Sequence, residues 1–251
     1  MRRTLALATL GLVVFAFVLL AGLPASQLGR FAPPGVLLTA TSGTLWSGQA
    51  DLSLGDTEAG RLAWNLQPAA LLRLMLRFEL EWEVPGGALH GIIEIDPTET
   101  RVRNLRGRVP ISAFAERMGA QGWEGTLEPD LDEVTLARSG SASATGEILL
   151  LDLVGSLDGR LRLGDFRWRP EVLRETLGAP RWRGFVEDTG NGPLQLRSML
   201  ELDVLGGYRL SGDMSISPAA SEAEVATLGA LLMAYGVPDS EGRHPFVIES
   251  R

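Results

Sequence analysis

Apolar and polar residues alternate along most of this chain, the pattern of strands with one buried face. The longest run places Leu72, Leu74, Leu76, Phe78, Leu80, Trp82 and Val84 on one parity, and Arg73, Arg77, Glu79, Glu81 and Glu83 on the other. It predicts one long amphipathic strand. Just before it, Leu62, Trp64 and Leu66 alternate up to Pro68, which lacks the N–H a central strand needs and is expected to end that pairing. Residues 92–95, 134–136, 148–154 and 157–168 read as further strands, set apart by clusters of Gly, Ser, Asn and Asp. The expected fold class is mainly β: a large, curved, mostly antiparallel sheet with a few short helices.

A hairpin is best specified where Leu194, Leu196, Leu200, Leu202 and Val204 alternate and, across Gly206 and Gly207, Tyr208, Leu210, Met214 and Ile216 follow. A two-residue Gly-Gly turn would set Val204 against Arg209, apolar against polar. Pairing Val204 with Tyr208, Leu202 with Leu210 and Leu196 with Ile216 keeps the apolar side chains on one face and predicts a loop of three residues or a wider one. Three helices are expected. Ile111, Phe114, Ala115 and Met118 share a helical face before Gly119, and Pro170, Glu171, Leu173 and Leu177 form another before Gly178. In the third, Ser221 and Glu224 form a capping box, and Val225, Leu228, Leu232 and Tyr235 make a stripe ended by Gly236 and Pro238. That stripe should lie on the apolar face of the sheet or cover an open end. A weak echo links Gly43-Thr44-Leu45, Leu52, Leu54, Trp64 and Pro68 to Gly155-Ser156-Leu157, Leu161, Leu163, Trp168 and Pro170. Duplication and chance convergence explain it equally well.

The first residues break the alternation. Residues 4–23 are an uncharged apolar run of 20 residues behind Arg2 and Arg3, including Leu5, Leu12, Phe15, Phe17 and Leu20. As a helix it spans about 30 Å, the thickness of a bilayer's hydrocarbon core. The two arginines favour an N-in, C-out orientation. A cleaved secretory signal is the competing reading, but the run exceeds the length of a signal's apolar region, and residues 21–25 offer no small-x-small cleavage pair. The expected organisation is a cytoplasmic tail at 1–3, a transmembrane helix at 4–23, a periplasmic neck at 24–41 and a β-rich periplasmic domain at 42–251. In a bacterium this predicts a single-pass protein of the inner membrane.

Charge and composition narrow the chemistry. Segment 1–24 holds two of the 23 basic residues and no acidic ones, leaving 21 against 31 acidic, a net charge of −10 on the exported part. That is a poor surface for nucleic acid. Every basic residue is Arg, a signature of coding bias rather than of a binding surface. Cysteine is absent, which excludes disulfides, thiol catalysis, zinc–thiolate sites and iron–sulfur clusters. His90 and His244 lack the partners of a metal motif, and no G-x-S-x-G elbow marks a nucleophile. The acidic cluster Glu128, Asp130, Asp132 and Glu133 lacks calcium-loop spacing and reads as a solvated turn. Gly119, Gly122 and Gly125 read as turn residues rather than a phosphate cradle. No catalytic, metal-binding or cofactor-binding residue is expected.

One motif stands out: Gly43-Thr44-Leu45-Trp46-Ser47-Gly48. Its glycines suit a turn or bulge, and Trp46 is expected to anchor the core rather than to face a partner. With the apolar run before it and Leu62, Trp64, Pro68, Leu71 and Leu72 after it, this motif resembles protein N of the bacterial type II secretion system. The resemblance is carried by the first third of the chain. It implies a single-span inner-membrane protein with a β-rich periplasmic domain, an accessory component of the machinery that exports folded proteins, with other secretion subunits as partners and no cofactor. The alternative class is a periplasmic carrier whose uncovered apolar groove holds lipid or another hydrophobic ligand.

Overall fold

The computed structural model describes residues 22–31, 36–54, 57–113, 122–156, 160–171, 181–203 and 207–250. Thirteen strands follow one another as β1 (Val36–Gly43), β2 (Ser47–Leu54), β3 (Thr57–Leu66), β4 (Leu76–Val84), β5 (Gly87–Ile95), β6 (Glu99–Pro110), β7 (Glu124–Ala137), β8 (Ala142–Ser156), β9 (Arg160–Glu171), β10 (Arg181–Asp188), β11 (Leu194–Asp203), β12 (Tyr208–Ile216) and β13 (His244–Ser250). They form a single sheet whose spatial order is the order of the sequence, and each neighbouring pair is antiparallel. Successive alternating segments lead to this topology, because adjacent antiparallel strands need only hairpins, although the connection from β12 to β13 carries a helix. The first strand begins at Val36, inside the segment read from sequence as the neck.

Alternation sorts the sheet into an apolar and a charged face. In β4, Phe78, Leu80 and Trp82 stand opposite Ile93, Gly91 and Leu89 of β5, while Arg77 and Glu81 stand opposite Glu94 and His90. Local irregularities switch the parity. In β6 the apolar set passes from Val102 to Leu105 and Val109 across Asn104, whose φ is 51°. In β8 it passes from Ile148 and Leu150 to Leu153 across Asp152, also at 51°, whose N–H donates to Asp165 Oδ1 at 2.7 Å. Such bulges let a long strand keep one face buried while the sheet twists.

Three clusters make the core. The largest gathers Leu153, Leu161, Leu163, Phe166, Leu194, Met214 and Phe246 under the helix α1 (Glu222–Tyr235). Its capping box forms as expected: Ser221 Oγ accepts from the Glu224 N–H, and the Ser221 N–H donates to Glu224 Oε2 at 2.9 Å. Leu228 and Leu232 are fully buried on the sheet, while Val225 and Tyr235, at the ends of the predicted stripe, are more than two-fifths exposed. A second cluster joins Val84, Leu89 and Val109, and a third joins Ala25, Ala50 and Trp64.

Several expectations are corrected. The strand drawn from Leu72 begins only at Leu76, because Pro68 opens a 3-10 turn, Pro68–Arg73, that Leu74 closes in the left-handed conformation. The acidic cluster is no turn: Glu128, Asp130, Asp132 and Glu133 lie within β7, where cross-strand arginines neutralise most of the cluster. Pro170 and Glu171 end β9 instead of opening a helix, and the rest of that segment, 172–180, lies outside the described residues. Ile111–Ala113 is a 3-10 turn, with 114–121 again outside. Gly125 is a strand residue of β7, Gly122 lies in a turn, and Gly119 is outside the described residues. His244 opens β13 and is buried, its Nδ1 3.0 Å from the Gly236 carbonyl; since a carbonyl only accepts, Nδ1 carries the proton.

The hairpin keeps the predicted face but slips by two residues: Leu202 pairs Tyr208, Leu200 pairs Leu210, Leu196 pairs Met214 and Leu194 pairs Ile216. A two-residue slip leaves side-chain parity unchanged, so alternation alone cannot select between the registers. The observed one sets Arg209 between Glu201 of β11 and Glu249 of β13, with Arg183 of β10 beyond, so four charges alternate in sign across four strands. The echo does not survive as a structural repeat. Its first copy spreads over β2, β3 and a 3-10 turn, whereas Leu161, Leu163, Trp168 and Pro170 all lie in β9.

Candidate docking surfaces

The motif Gly43 to Gly48 is the β1–β2 turn, and its residue types follow from its hydrogen bonds. Thr44 N–H donates to Ser47 O at 2.9 Å, and Thr44 Oγ1 accepts from the Trp46 and Ser47 N–H groups at 3.2 and 3.3 Å. The hydroxyl thus completes a turn that a plain side chain would leave open. Gly43 (φ 89°) pairs Gly48, and both are required by close approach. A Cβ on Gly43 would lie 2.5 Å from Ser47 O, and one on Gly48 would lie 2.5 Å from Ser42 O and 2.7 Å from the Trp64 ring.

The same turn receives the chain arriving from the N-terminus. Leu45 N–H donates to Leu23 O at 2.8 Å, Pro24 bridges Thr44, and the 3-10 turn Ala25–Phe31 lies over β1 and β2 with Ala25 buried against Ala50 and Trp64. Trp64 is 5% exposed, its indole N–H donating to Thr44 O at 3.2 Å. Trp46 is only partly buried. The tryptophan that anchors this corner is therefore Trp64 rather than Trp46: Trp64 lies inside β3, facing the apolar side, while Trp46 sits on a turn. The Trp46 carbonyl accepts from Leu66 N–H at 2.6 Å, and Pro68 follows two positions after Leu66. The structure thus brings together the whole set Gly43, Thr44, Leu45, Trp46, Ser47, Gly48, Trp64 and Pro68. Leu5, Leu12, Phe15, Phe17 and Leu20 of the apolar run lie outside the described residues, among which no helix is long and apolar enough to cross a membrane.

The charged face is a ladder of cross-strand ion pairs. Glu94, 4% exposed, lies 3.0 Å from Arg77 and 3.8 Å from Arg103; Arg106 binds Asp130 at 2.6 Å and Asp132 at 3.5 Å; Arg108 meets Glu128; Arg103 meets Glu133 at 3.6 Å. Further along, Glu147 lies between Arg167 and Arg169. Apart from those of the buried Glu94, pairs this exposed contribute little stability each, but like charges set opposite one another would repel, so the ladder favours this register. The Arg106 guanidinium is held above its ordinary range by the Asp130 hydrogen bond. The acidic residues are thereby occupied by arginine, and among the described residues no three metal-ligating side chains converge. A depression of about 320 Å³ is lined by charged and polar groups, including Asp188, Arg197, Asp213 and Arg243. Arg243 is already engaged there by Asp213, Asp239 and Glu241.

On the apolar face, Trp82, Leu105 and Leu127 are partly buried around Val84, Leu89 and Val109. Among the described residues, no second sheet packs over them. The sheet is open, with β1 at one edge and β13 at the other. No alternation signal reveals which strands become edges, which is why the sequence alone could not locate these surfaces.

The described sheet thus presents one ion-paired face, one apolar face and two edges. The family model for type II secretion system (T2SS), protein N, matches residues 34–247, so the chain belongs to that family. The match extends well past the first third that carries the motif, through nearly all of the described sheet. Membership assigns the chain a role in type II secretion, among other components of that machinery. No curated protein and no solved structure matches it significantly.

Proposed function

We propose that the protein is a non-enzymatic component of the type II secretion system, anchored in the inner membrane by residues 4–23. On this reading its periplasmic sheet assists assembly or function of the machinery by pairing with other subunits along β13. The observation that carries the reading is the open order of the sheet: β13 pairs β12 on one side, and among the described residues no strand pairs its other side. An unpaired edge is a template for strand addition. Membership of a secretion-machinery family supplies the class of partner. The test is a photo-crosslinking residue at Val247, 56% exposed on β13, in secreting cells. Adducts with secretion subunits are expected; adducts absent at Val247 but present on the ion-paired face would overturn the assignment of the edge.

A second reading, a lipid or hydrophobic-ligand carrier, draws on the apolar face of β4 to β8, whose side chains around Trp82, Leu105 and Leu127 are only partly buried. Extraction and mass spectrometry of the purified full chain separate the two. Lipid held stoichiometrically after detergent exchange favours the carrier, and its absence favours the docking component.

A further inference from the structure

Between β3 and β4 the burial pattern is inverted. Leu72 is 90% exposed and Leu74 82%, with Leu71 and Leu76 at 38% and 40%. Arg73 is the one charged residue from Pro68 to Leu76. Connections over a surface are ordinarily polar, and an apolar cluster left in water marks a contact site.

The knob is built rather than loose. Gln67 N–H donates to Arg77 O at 2.8 Å, Leu74 N–H to Leu71 O at 3.0 Å, and Met75 N–H to Ala70 O at 3.3 Å, while Ala70 is buried beneath. Leu74 has φ 56° and ψ 35°, a left-handed conformation that crowds any Cβ and is usually left to glycine or asparagine. The Leu74 backbone closes the turn, but a leucine side chain held out in water adds little to the fold, which points to a contact with another molecule.

Its position supplies that explanation. The knob leaves β3 at Leu66, whose N–H is bonded to Trp46 O, and the neighbouring Leu45 N–H is bonded to Leu23 O. Leu23 is the last residue of the apolar run. Leu72 lies six positions beyond Leu66, a reach of at most about 20 Å. The knob therefore stands at the corner of the sheet where the run ends.

We propose that Leu72 and Leu74 insert into the outer leaflet of the membrane that residues 4–23 cross, with Arg73 reaching the lipid phosphates. This rests on the anchor reading above. An apolar pair flanking an arginine suits that interface, where the guanidinium stays at the headgroups while the leucines enter the acyl region. The sheet then has two footholds at one corner, and its tilt over the membrane is restrained.

The chain's lack of cysteine makes the test direct. Full-length Leu72→Cys protein, with Leu74→Cys as a second position, is labelled with an environment-sensitive fluorophore. It is then reconstituted in vesicles of phosphatidylethanolamine and phosphatidylglycerol, with β content checked by circular dichroism. The expected result is a blue-shifted label quenched by lipids brominated on their acyl chains and protected from aqueous iodide. The same label at Val237, 83% exposed between α1 and β13, should remain open to iodide. If the protein does not float with the vesicles, the anchor reading fails and this proposal with it. Flotation with iodide-quenched labels at both knob positions overturns this proposal alone. Protection from both quenchers would also overturn it, in favour of a protein covering the knob.

Discussion

Trp64→Ala is the sharpest test of how the first corner of the sheet is held. A tryptophan buries about 150–250 Å² of surface, and Trp64 is 5% exposed. At about 25 cal/mol per Å² this corresponds to about 5 kcal/mol, an upper bound because the unfolded chain already hides some of that area. Large-to-small core substitutions measured elsewhere lose about 3–5 kcal/mol, and Ala25, Ala50, Leu28 and Leu80 pack in the cluster that Trp64 fills. The expected loss is therefore about 3–5 kcal/mol. Trp64→Phe retains most of the packing but removes the donor to Thr44 O, for an expected loss of about 1–2 kcal/mol. Trp46→Ala, on the partly buried turn residue, should lose less than Trp64→Ala. Denaturant unfolding of the full chain in micelles, followed by far-ultraviolet circular dichroism, ranks the three variants. Hydrogen exchange supplies a second readout, since the Leu45 amide, bonded to Leu23 O, should lose protection in Trp64→Ala before the rest of the sheet does. If Trp46→Ala proves as damaging as Trp64→Ala, the assignment of the anchor is wrong.

Gly48→Ala would drive a Cβ against Ser42 O and the Trp64 ring, with an expected loss of about 1–3 kcal/mol by the same unfolding measurement; a neutral result would show that the turn relaxes freely. Glu94→Gln removes the charge that Arg77 and Arg103 share at a buried position, for an expected loss of about 1–3 kcal/mol. A double-mutant cycle with Arg77→Gln should show coupling, and additivity would refute the pairing. Ser221→Ala deletes the N-cap of α1, an expected loss of about 1 kcal/mol. The Ser221 hydrogen bonds also hold Glu224 below the ordinary carboxylate range. A depressed carboxylate stabilises the fold above its unfolded pKa and loses that contribution as pH falls through the folded value. The serine variant keeps the Ser221 N–H, the larger cause of that shift, and loses only the hydroxyl donor, so it should show a slightly shallower loss of stability on acidification below about pH 4.5; an unchanged acid limb would exclude a contribution from the hydroxyl.

Much of the architecture was legible along the chain because a strand with one buried face must alternate, and a helix start must satisfy its free N–H groups. Alternation disclosed β4, β5, β8, β9 and the end of β7 but not β6, Pro68 ended β3, and Ser221 with Glu224 announced α1 to the residue. The glycines and threonine of the 43–48 motif likewise encode a turn on their own. Tertiary structure decided what period two cannot express. A slip of two residues leaves every side chain on its face, so alternation leaves the β11–β12 register open, and the observed one completes a row of alternating charges from Arg183 to Glu249 that exists only once four strands are neighbours. Asn104 and Asp152 reverse the alternation mid-strand, and nothing local distinguishes them from ordinary polar positions. Leu72 and Leu74 carry a strand's spacing yet stand in water, because hydrogen bonds from Gln67, Leu74 and Met75 close the chain into a turn. Which tryptophan is buried follows from its surroundings: Ala25 and Ala50, distant in sequence, pack with Trp64, while Trp46 stays partly buried on the turn. Local pattern chooses the face of each residue, and only assembly chooses its neighbours.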